Sequence, residues 1–148
     1  MEQAEILDAA IGTLLRLLTI DERQLSTGLG TIPFNPIDLE TLSYLHRHPQ
    51  AVAKDVANHL GVRSTTMQSV VDRLHKRGLV TRDATALKGR AVALTLTENG
   101  MEFRNQIQAQ NIQNCQQMLA YINEGERDAF VQNMAMIAAR YSDEKAQG

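Results

Sequence analysis

The chain has 148 residues and a formal net charge of −2, and 43% of its residues are apolar. This length is typical of one domain, and the apolar content is sufficient for a buried core. No run of 18 apolar residues occurs, so we expect no transmembrane span and a cytoplasmic location. One cysteine excludes an internal disulfide framework, and the absence of Trp argues against an aromatic platform for single-stranded nucleic acid.

The basic residues are concentrated in one segment. Residues 63–90 hold seven Lys and Arg against two Asp, a local net charge of +5, while the rest of the chain carries eight basic and fifteen acidic residues, or −7. This asymmetry indicates a local anion-binding surface, and nucleic acid is the leading candidate. An ordinary solvated helix face is the alternative interpretation.

The first fifty residues predict two helices joined by a loop. Residues 3–20 carry apolar side chains at helical spacing, which is typical of an amphipathic helix. Residues 26–36 are rich in Gly, Pro and Ser and predict a loop. A second helix then begins, with Asn35 as its N-cap and Pro36 at its first helical position, and ends before Pro49.

Two shorter helices follow, separated by a tight turn. The first covers Ala53–Leu60 and ends at Gly61. The second covers residues 64–77, with Ser64 as a candidate N-cap and Gly78 as the residue that ends it.

Their spacing indicates a helix-turn-helix. The small side chain of Ala57 lets the two helices approach closely, and the apolar Met67 and Val70 hold the second helix against the first. Short polar side chains in the N-terminal half of the second helix are suited to contact base edges and phosphates. They are Ser64, Thr65, Thr66, Gln68 and Ser69.

The spacing of the apolar residues then changes from that of a helix to that of a strand. Residues 91–96 alternate with period two, residues 79–81 would form the partner strand, and residues 82–90 would connect them. A hairpin this small must pack on helices. The expected fold is therefore mainly α with a small β-hairpin wing, that is, a winged helix-turn-helix with flanking helices.

Two long helices complete the predicted chain. Thr97 caps the first, over residues 98–122, and the second covers residues 124–141. Cys115 lies on the apolar side of the first of these helices, which favours a buried structural cysteine over a redox sensor.

Three short motifs carry a family resemblance. They are Val71-Asp72-Arg73-Leu74, Arg77-Gly78-Leu79-Val80, and Leu96-Thr97-Glu98 followed by Gly100. With them, the chain resembles the MarR family of bacterial transcriptional regulators over nearly its whole length.

The resemblance implies a homodimer that represses transcription from a pseudo-palindromic operator. Residues 1–34 and 98–148 would form the dimerisation helices, and residues 35–97 the DNA-binding domain. A small, often aromatic or lipophilic anion would act as effector between these parts. Residues 14–46 would contribute to its pocket, although no individual residue can be assigned to it. No metal and no cofactor are expected.

The charge pattern and the resemblance together assign the contacts with double-stranded DNA. Basic side chains would mostly meet phosphates, which gives affinity without sequence information. For Arg73, an ion pair with Asp72 or with a wing carboxylate is an equal alternative. The predicted DNA-binding residues are Arg63, Ser64, Thr65, Thr66, Gln68, Ser69, Arg73, Lys76, Arg77, Arg82, Lys88 and Arg90.

The wing departs from the family pattern. Family wings commonly carry an aspartate followed by paired arginines, whereas this chain has Lys88, Gly89 and Arg90. Only Arg90 then serves as the arginine for the minor groove. Loss of the acid removes a salt bridge that would position it, and Gly89 loosens the tip.

Other classes of function find little support. The sequence has no GxSxG motif, no P-loop and no glycine-rich dinucleotide turn, which argues against an enzyme. His46 and His48 point to different sides of one helix, so a metal site lacks partners. A nonspecific architectural DNA binder and a winged-helix adaptor for proteins stay as alternatives, although the adaptor has no need of the basic segment.

Replacing Arg90 by Ala tests the wing. We expect operator binding to weaken by about 1–3 kcal/mol, as for loss of a groove arginine. Fluorescence anisotropy on the operator measures the change, and unchanged affinity would remove the wing from the DNA contact.

Overall fold

The computed structural model describes residues 2–21, 31–33, 36–89 and 91–148. It confirms a mainly helical chain that carries an antiparallel hairpin after its helix-turn-helix. The elements in chain order are α1 (Gln3–Leu17), β1 (Thr19–Asp21), β2 (Thr31–Pro33), α2 (Pro36–Arg47), α3 (Ala53–Leu60), α4 (Ser64–Lys76), β3 (Val80–Asp83), β4 (Ala93–Leu96), α5 (Glu98–Ala120) and α6 (Arg127–Gln147).

The N-terminal segment differs from the prediction. Helix α1 ends at Leu17 rather than at residue 20, because the chain enters strand β1 at Thr19. Strand β1 pairs with β2, which lies inside the segment predicted as a loop, with Ile20 opposite Ile32. Helix α2 begins at Pro36 as predicted, while its proposed cap, Asn35, lies outside the described residues.

The core lies where α2, α3, α4 and the hairpin meet the start of α5. Met67 and Leu74 of α4 are fully buried, together with Leu42 of α2 and Leu79 at the start of the hairpin. The predicted contact residues of the helix-turn-helix are buried too, with Ala57 at 4% exposure. Burial of these side chains supplies most of the stabilisation of the winged helix.

The turns around α4 use left-handed backbone. Gly61 follows α3 with φ of 67°, and Gly78 follows α4 with φ of 72°. Glycine adopts this region without the penalty that a Cβ imposes.

The predicted capping role of Ser64 is wrong. Ser64 is the first helical residue, and Arg63 occupies the N-cap position with extended backbone and no capping hydrogen bond from its side chain. The hydroxyl of Ser64 therefore lies one residue too far along the chain to act as the cap.

The wing is an antiparallel pair with Val80 opposite Leu96 and Asp83 opposite Ala93. The Leu94 amide donates to the Ala51 carbonyl at 2.9 Å, which attaches the segment before α3 to the outer edge of β4. The predicted alternation is only partly observed, since neighbouring Ala93 and Leu94 are both buried.

Helix α5 begins on this core, where Phe103 and Ile107 are buried, and the end of α6 lies beside the end of α3. A 3-10 turn over Glu124–Glu126 precedes α6, which reaches Gln147 and is longer than predicted. Helices α1 and α6 have no buried residue within the single chain.

Cys115 is exposed, so the prediction of a buried cysteine is wrong for the single chain. It lines an open pocket with Leu18 and Met118, so the described residues cover this part of α5 only partly. Among the described residues, no helix has the length and apolar character needed to cross a membrane.

The first turn of α5 lies directly on the backbone of the hairpin. Thr97 caps α5 as predicted, because its Oγ accepts from the Gly100 amide at 2.9 Å. The same hydroxyl donates to the Gly78 carbonyl at 2.7 Å. A Cβ at Gly100 would lie 2.1 Å from the Leu79 carbonyl oxygen and 2.7 Å from Leu96 Cδ1.

Replacing Gly100 by Ala should therefore destabilise the fold. The added methyl meets a backbone oxygen that cannot rotate away, so we expect a loss of about 1–3 kcal/mol or more in the free energy of unfolding. Urea unfolding followed by circular dichroism measures it.

Gly12→Ala is the matched control. A Cβ at Gly12 in α1 has nothing within 4 Å, and Ala favours a helix over Gly by about 0.5–1 kcal/mol. Equal unfolding midpoints for the two variants would contradict the close contact at Gly100.

Candidate nucleic-acid interface

Helix α4 presents one polar face to solvent. Met67, Val70, Val71 and Leu74 anchor its other side in the core. The predicted polar residues are all exposed, namely Ser64, Thr65, Thr66, Gln68 and Ser69. The Ser69 hydroxyl donates to the Thr65 carbonyl at 3.3 Å, which leaves its oxygen as an acceptor toward solvent.

Two of the predicted DNA-contacting arginines form ion pairs within the chain. Arg73 of α4 binds Asp38 of α2 through two nitrogens, with an Nε to Oδ2 distance of 3.3 Å. Arg82 of β3 binds the Asp72 carboxylate of α4. The alternative interpretation, in which Arg73 forms an ion pair, is thus correct, but the partner is Asp38 rather than Asp72 or a wing carboxylate.

These pairs connect the elements of the interface. The Arg73–Asp38 pair fixes α4 to α2, and the Arg82–Asp72 pair fixes the wing to α4. Asp38 is 14% exposed, so its pair is shielded from solvent more than the pair at Asp72, which is 57% exposed. The first pair therefore contributes more to orientation than an open surface pair does.

Arg77 is held against the long helix. Its guanidinium lies over the ring of Phe103 in α5, 4.7 Å from the centroid, in a cation–π contact. The nearby His75 joins the end of α4 to the wing, since its Nδ1 lies 3.0 Å from the Val80 carbonyl oxygen.

Three further predicted cations are exposed. Arg63 precedes α4, Lys76 is its last residue, and Lys88 lies in the wing. Within the described part of the chain these three side chains have no ion-pair partner. Their charges are therefore available to an external anion.

The wing tip is only partly described. Gly89 has φ of 84°, a conformation that suits glycine. Arg90 lies outside the described residues. At the start of the wing, the Thr85 hydroxyl and amide donate to Asp83 Oδ1 at 2.7 and 2.8 Å and lower the pKa of that carboxyl. Asp83 is therefore ionised at neutral pH and closes a turn beside β3.

The arrangement of recognition helix and wing has known counterparts. Residues 32–91, which include α2, α3, α4 and most of the hairpin, match the profile of the MarR family. This region of the chain, 60 of its 148 residues, belongs to the MarR family, whose members are DNA-binding transcriptional regulators.

Other MarR-like relatives match more of the chain. The HTH-type transcriptional regulator PecS of Dickeya dadantii is 26% identical over 120 residues, which cover 79% of this chain and 72% of PecS. The structure of Streptococcus pneumoniae FabT in complex with DNA matches with a TM-score of 0.72 at 16% identity, covering 95% of each chain.

A third similar structure contains a small molecule. The PcaV transcriptional regulator of Streptomyces coelicolor, in complex with its natural ligand, matches with a TM-score of 0.63 at 23% identity, covering 92% of this chain and 89% of that one. At these identities the solved structures establish the shared fold.

Sequence reasoning identified the exposed face of the MarR recognition helix but missed what positions it. Asp38 and His75 were not predicted to take part, although both hold α4 in place. Asp38 is 35 residues from Arg73 along the chain, so only the packing of α2 on α4 brings the two together. The local signal available was the acid in the first turn of α2.

Proposed function

We propose that this MarR-family chain is a ligand-responsive repressor that binds a pseudo-palindromic operator as a homodimer in the cytoplasm. The observation that carries the proposal is the exposed polar face of α4, flanked by the cations of Arg63, Lys76 and Lys88. A helix of this kind, fixed to a hydrophobic core on one side only, is suited to lie in the major groove.

The side chains divide into readers, phosphate contacts and positioning groups. Gln68 is the best candidate for base reading, because an amide can bond adenine at two atoms. Arg63, Lys76 and Lys88 supply phosphate contacts. Arg73, Arg77 and Arg82 fix the recognition helix and the wing through their partners within the chain. Less conformational entropy is therefore lost when the protein binds DNA.

The dimer is proposed from the exposed apolar faces of the terminal helices. On α1, Ile11 is 46% exposed and Leu14 is 41% exposed. On α6, Phe130, Met134 and Ile137 are 39–53% exposed and recur at helical spacing. Apolar surface of this extent marks an interface, and a second copy of the chain supplies the same faces.

The division of the chain follows from this dimer. Residues 35–97 would form the DNA-binding domain, and residues 1–34 and 98–148 the dimerisation region. Two recognition helices related by a twofold axis would reach half-sites about 10 base pairs apart.

Response to a small molecule is proposed from a similar structure. PcaV is bound to its natural ligand in one of the matching structures. An effector that prefers one spacing of the two DNA-binding domains shifts the population of the competent dimer. That preference makes the repressor responsive.

A pair of substitutions in α4 tests the division between base reading and phosphate contact. Gln68→Ala should relax base preference at one position of each half-site, since it removes an amide from the groove. Lys76→Ala should lower affinity evenly across sequences and reduce the salt slope by about 1. Anisotropy titrations on a set of single-base operator variants at two salt concentrations measure both effects. An even loss of affinity for Gln68→Ala would refute its reading role.

Introducing a charge on α6 tests the dimer. Ile137→Glu places a carboxylate on the exposed apolar face, and desolvating it on association costs several kcal/mol. We expect sedimentation equilibrium to show dissociation to monomers. Gln132→Glu, on the opposite side of the same helix, adds the same charge and should leave the dimer intact. A dimer that persists in Ile137→Glu would mean that this face is not the interface.

A further inference from the structure

His75 lies on the exposed polar face of α4, in line with a residue proposed to read bases. Counted from Gln68, Asp72 is four residues farther along the helix and His75 is seven, a spacing that places the three side chains in one row. All three are exposed. His75 does not belong to the predicted DNA-contacting set, although this row leads from the best candidate for base reading to its imidazole ring.

The hydrogen bond to the wing decides which ring nitrogen of His75 is left for another partner. Nδ1 lies 3.0 Å from the carbonyl oxygen of Val80. A carbonyl oxygen can only accept, so Nδ1 carries a proton, and in the neutral ring Nε2 then has a lone pair and no proton. Within the described part of the chain, no hydrogen-bond partner is found for Nε2. A second proton would therefore be added at Nε2, on the side of the ring away from Val80.

The distance along α4 places His75 at the border of the major groove when the start of the helix lies inside it. A helix rises about 1.5 Å per residue, so His75 lies about 10 Å along the axis from Gln68. The major groove is about 12 Å wide, and recognition helices contact base edges with their N-terminal residues. With Gln68 at a base edge, His75 is therefore level with the phosphates that border the groove.

The charged groups on the elements that meet at this end of α4 carry both signs. Asp72 and Arg82 pair with each other, and Arg73 pairs with Asp38 of α2. Among the described residues, none of the charged groups forms an ion pair with His75. A positive charge on His75 would thus add to that of its neighbour in the chain instead of neutralising an acid. The remaining groups are Lys76 and Arg77 of this segment, Asp83 of β3 and Glu98 at the start of α5.

We propose that His75 is a further DNA-contacting residue, whose imidazolium form donates from Nε2 to a backbone phosphate. The neutral ring presents a lone pair, which repels a phosphate oxygen, so the contact forms only with uptake of one proton from solvent at Nε2. The bond from Nδ1 to Val80 holds the ring in place in both forms. Histidine changes its charge between about pH 5 and pH 8, so the affinity for DNA would rise as the pH falls through this range.

The proposal rests on the proposed function, because α4 must lie in the groove for His75 to reach a phosphate. Fluorescence anisotropy of the full-length protein on the DNA upstream of its own gene, at constant salt and at about pH 6 and about pH 8, tests it. We expect binding to be about fivefold to tenfold tighter at the lower pH, as for the gain of an exposed charge-assisted hydrogen bond. Phosphates of duplex DNA keep their charge over this range, so the difference reports on the protein.

His75→Asn separates the charge from the contact with the wing. The Asn amide can still donate to the Val80 carbonyl, but it takes up no proton. We expect this variant to reduce the difference between the two pH values to below about twofold and to bind at the higher pH as the unmodified protein does. A full difference in His75→Asn would overturn the proposal. An equal loss of affinity at both pH values would also overturn it, because His75 would then only position the wing.

His75→Lys provides a second variant with a fixed charge. It should bind at about pH 8 as tightly as the unmodified protein does at about pH 6, since its ammonium needs no proton uptake in this range. Affinity at the higher pH that stays at or below that of the unmodified protein would count against a phosphate near this position. Circular dichroism confirms that each variant is folded.

His46→Gln is the matched control, because it removes an exposed histidine from α2 instead of α4. It should keep the full difference between the two pH values. Loss of the difference in this variant as well would overturn the assignment to His75. Binding to DNA with equal affinity at both pH values would overturn the proposal and leave the proposed function intact, whereas absence of binding at either pH would contradict both.

Discussion

The first turn of α5 and the backbone that follows α4 share a space too small for a side chain, and the arrangement of the chain depends on this contact. The Thr97 hydroxyl donates to the Gly78 carbonyl, its amide donates to the Leu79 carbonyl at 3.1 Å, and Gly100 lies against that same carbonyl. The end of the recognition helix, the first strand of the wing and the start of the long helix thus meet at one point. Because this contact is closely packed, a displacement of α5 would require the backbone that follows α4 to move as well.

Charge within the winged helix serves two purposes. Arg73 and Arg82 form ion pairs with Asp38 and Asp72, and these pairs orient the recognition helix and the wing. Of the predicted DNA-contacting cations, three remain open to solvent, at the two ends of α4 and in the wing: Arg63, Lys76 and Lys88. The net charge of +5 over residues 63–90 already subtracts Asp72, and the pairing of Arg73 with Asp38, outside that segment, neutralises one further charge. Long-range attraction of DNA still follows the net charge of the whole segment.

Local patterns in the sequence predicted most of the fold. The glycines at 61 and 78, the cap at Thr97 and the apolar positions of α4 each reflect a constraint that acts over a few residues. What could not be predicted depends on distant packing: the Arg73–Asp38 pair joins residues 35 apart. Cys115 was placed by periodicity on an apolar stripe, but periodicity does not say which surface covers that stripe. For the same reason periodicity could not say what covers the exposed apolar faces of α1 and α6. The predicted wing arginine, Arg90, lies outside the described residues.

In the proposed repressor, α4 and the wing together recognise one DNA sequence. Fluorescence anisotropy of the purified protein on the DNA upstream of its own gene, with and without an excess of unrelated duplex, tests it most directly. A sequence-specific repressor that controls its own gene keeps its binding in the presence of the competitor at physiological salt. If unrelated duplex displaces the protein as effectively as the upstream DNA does, specific recognition is contradicted and an architectural DNA binder is indicated. Absence of binding even at low salt would contradict DNA recognition altogether and favour a protein partner for the same surface.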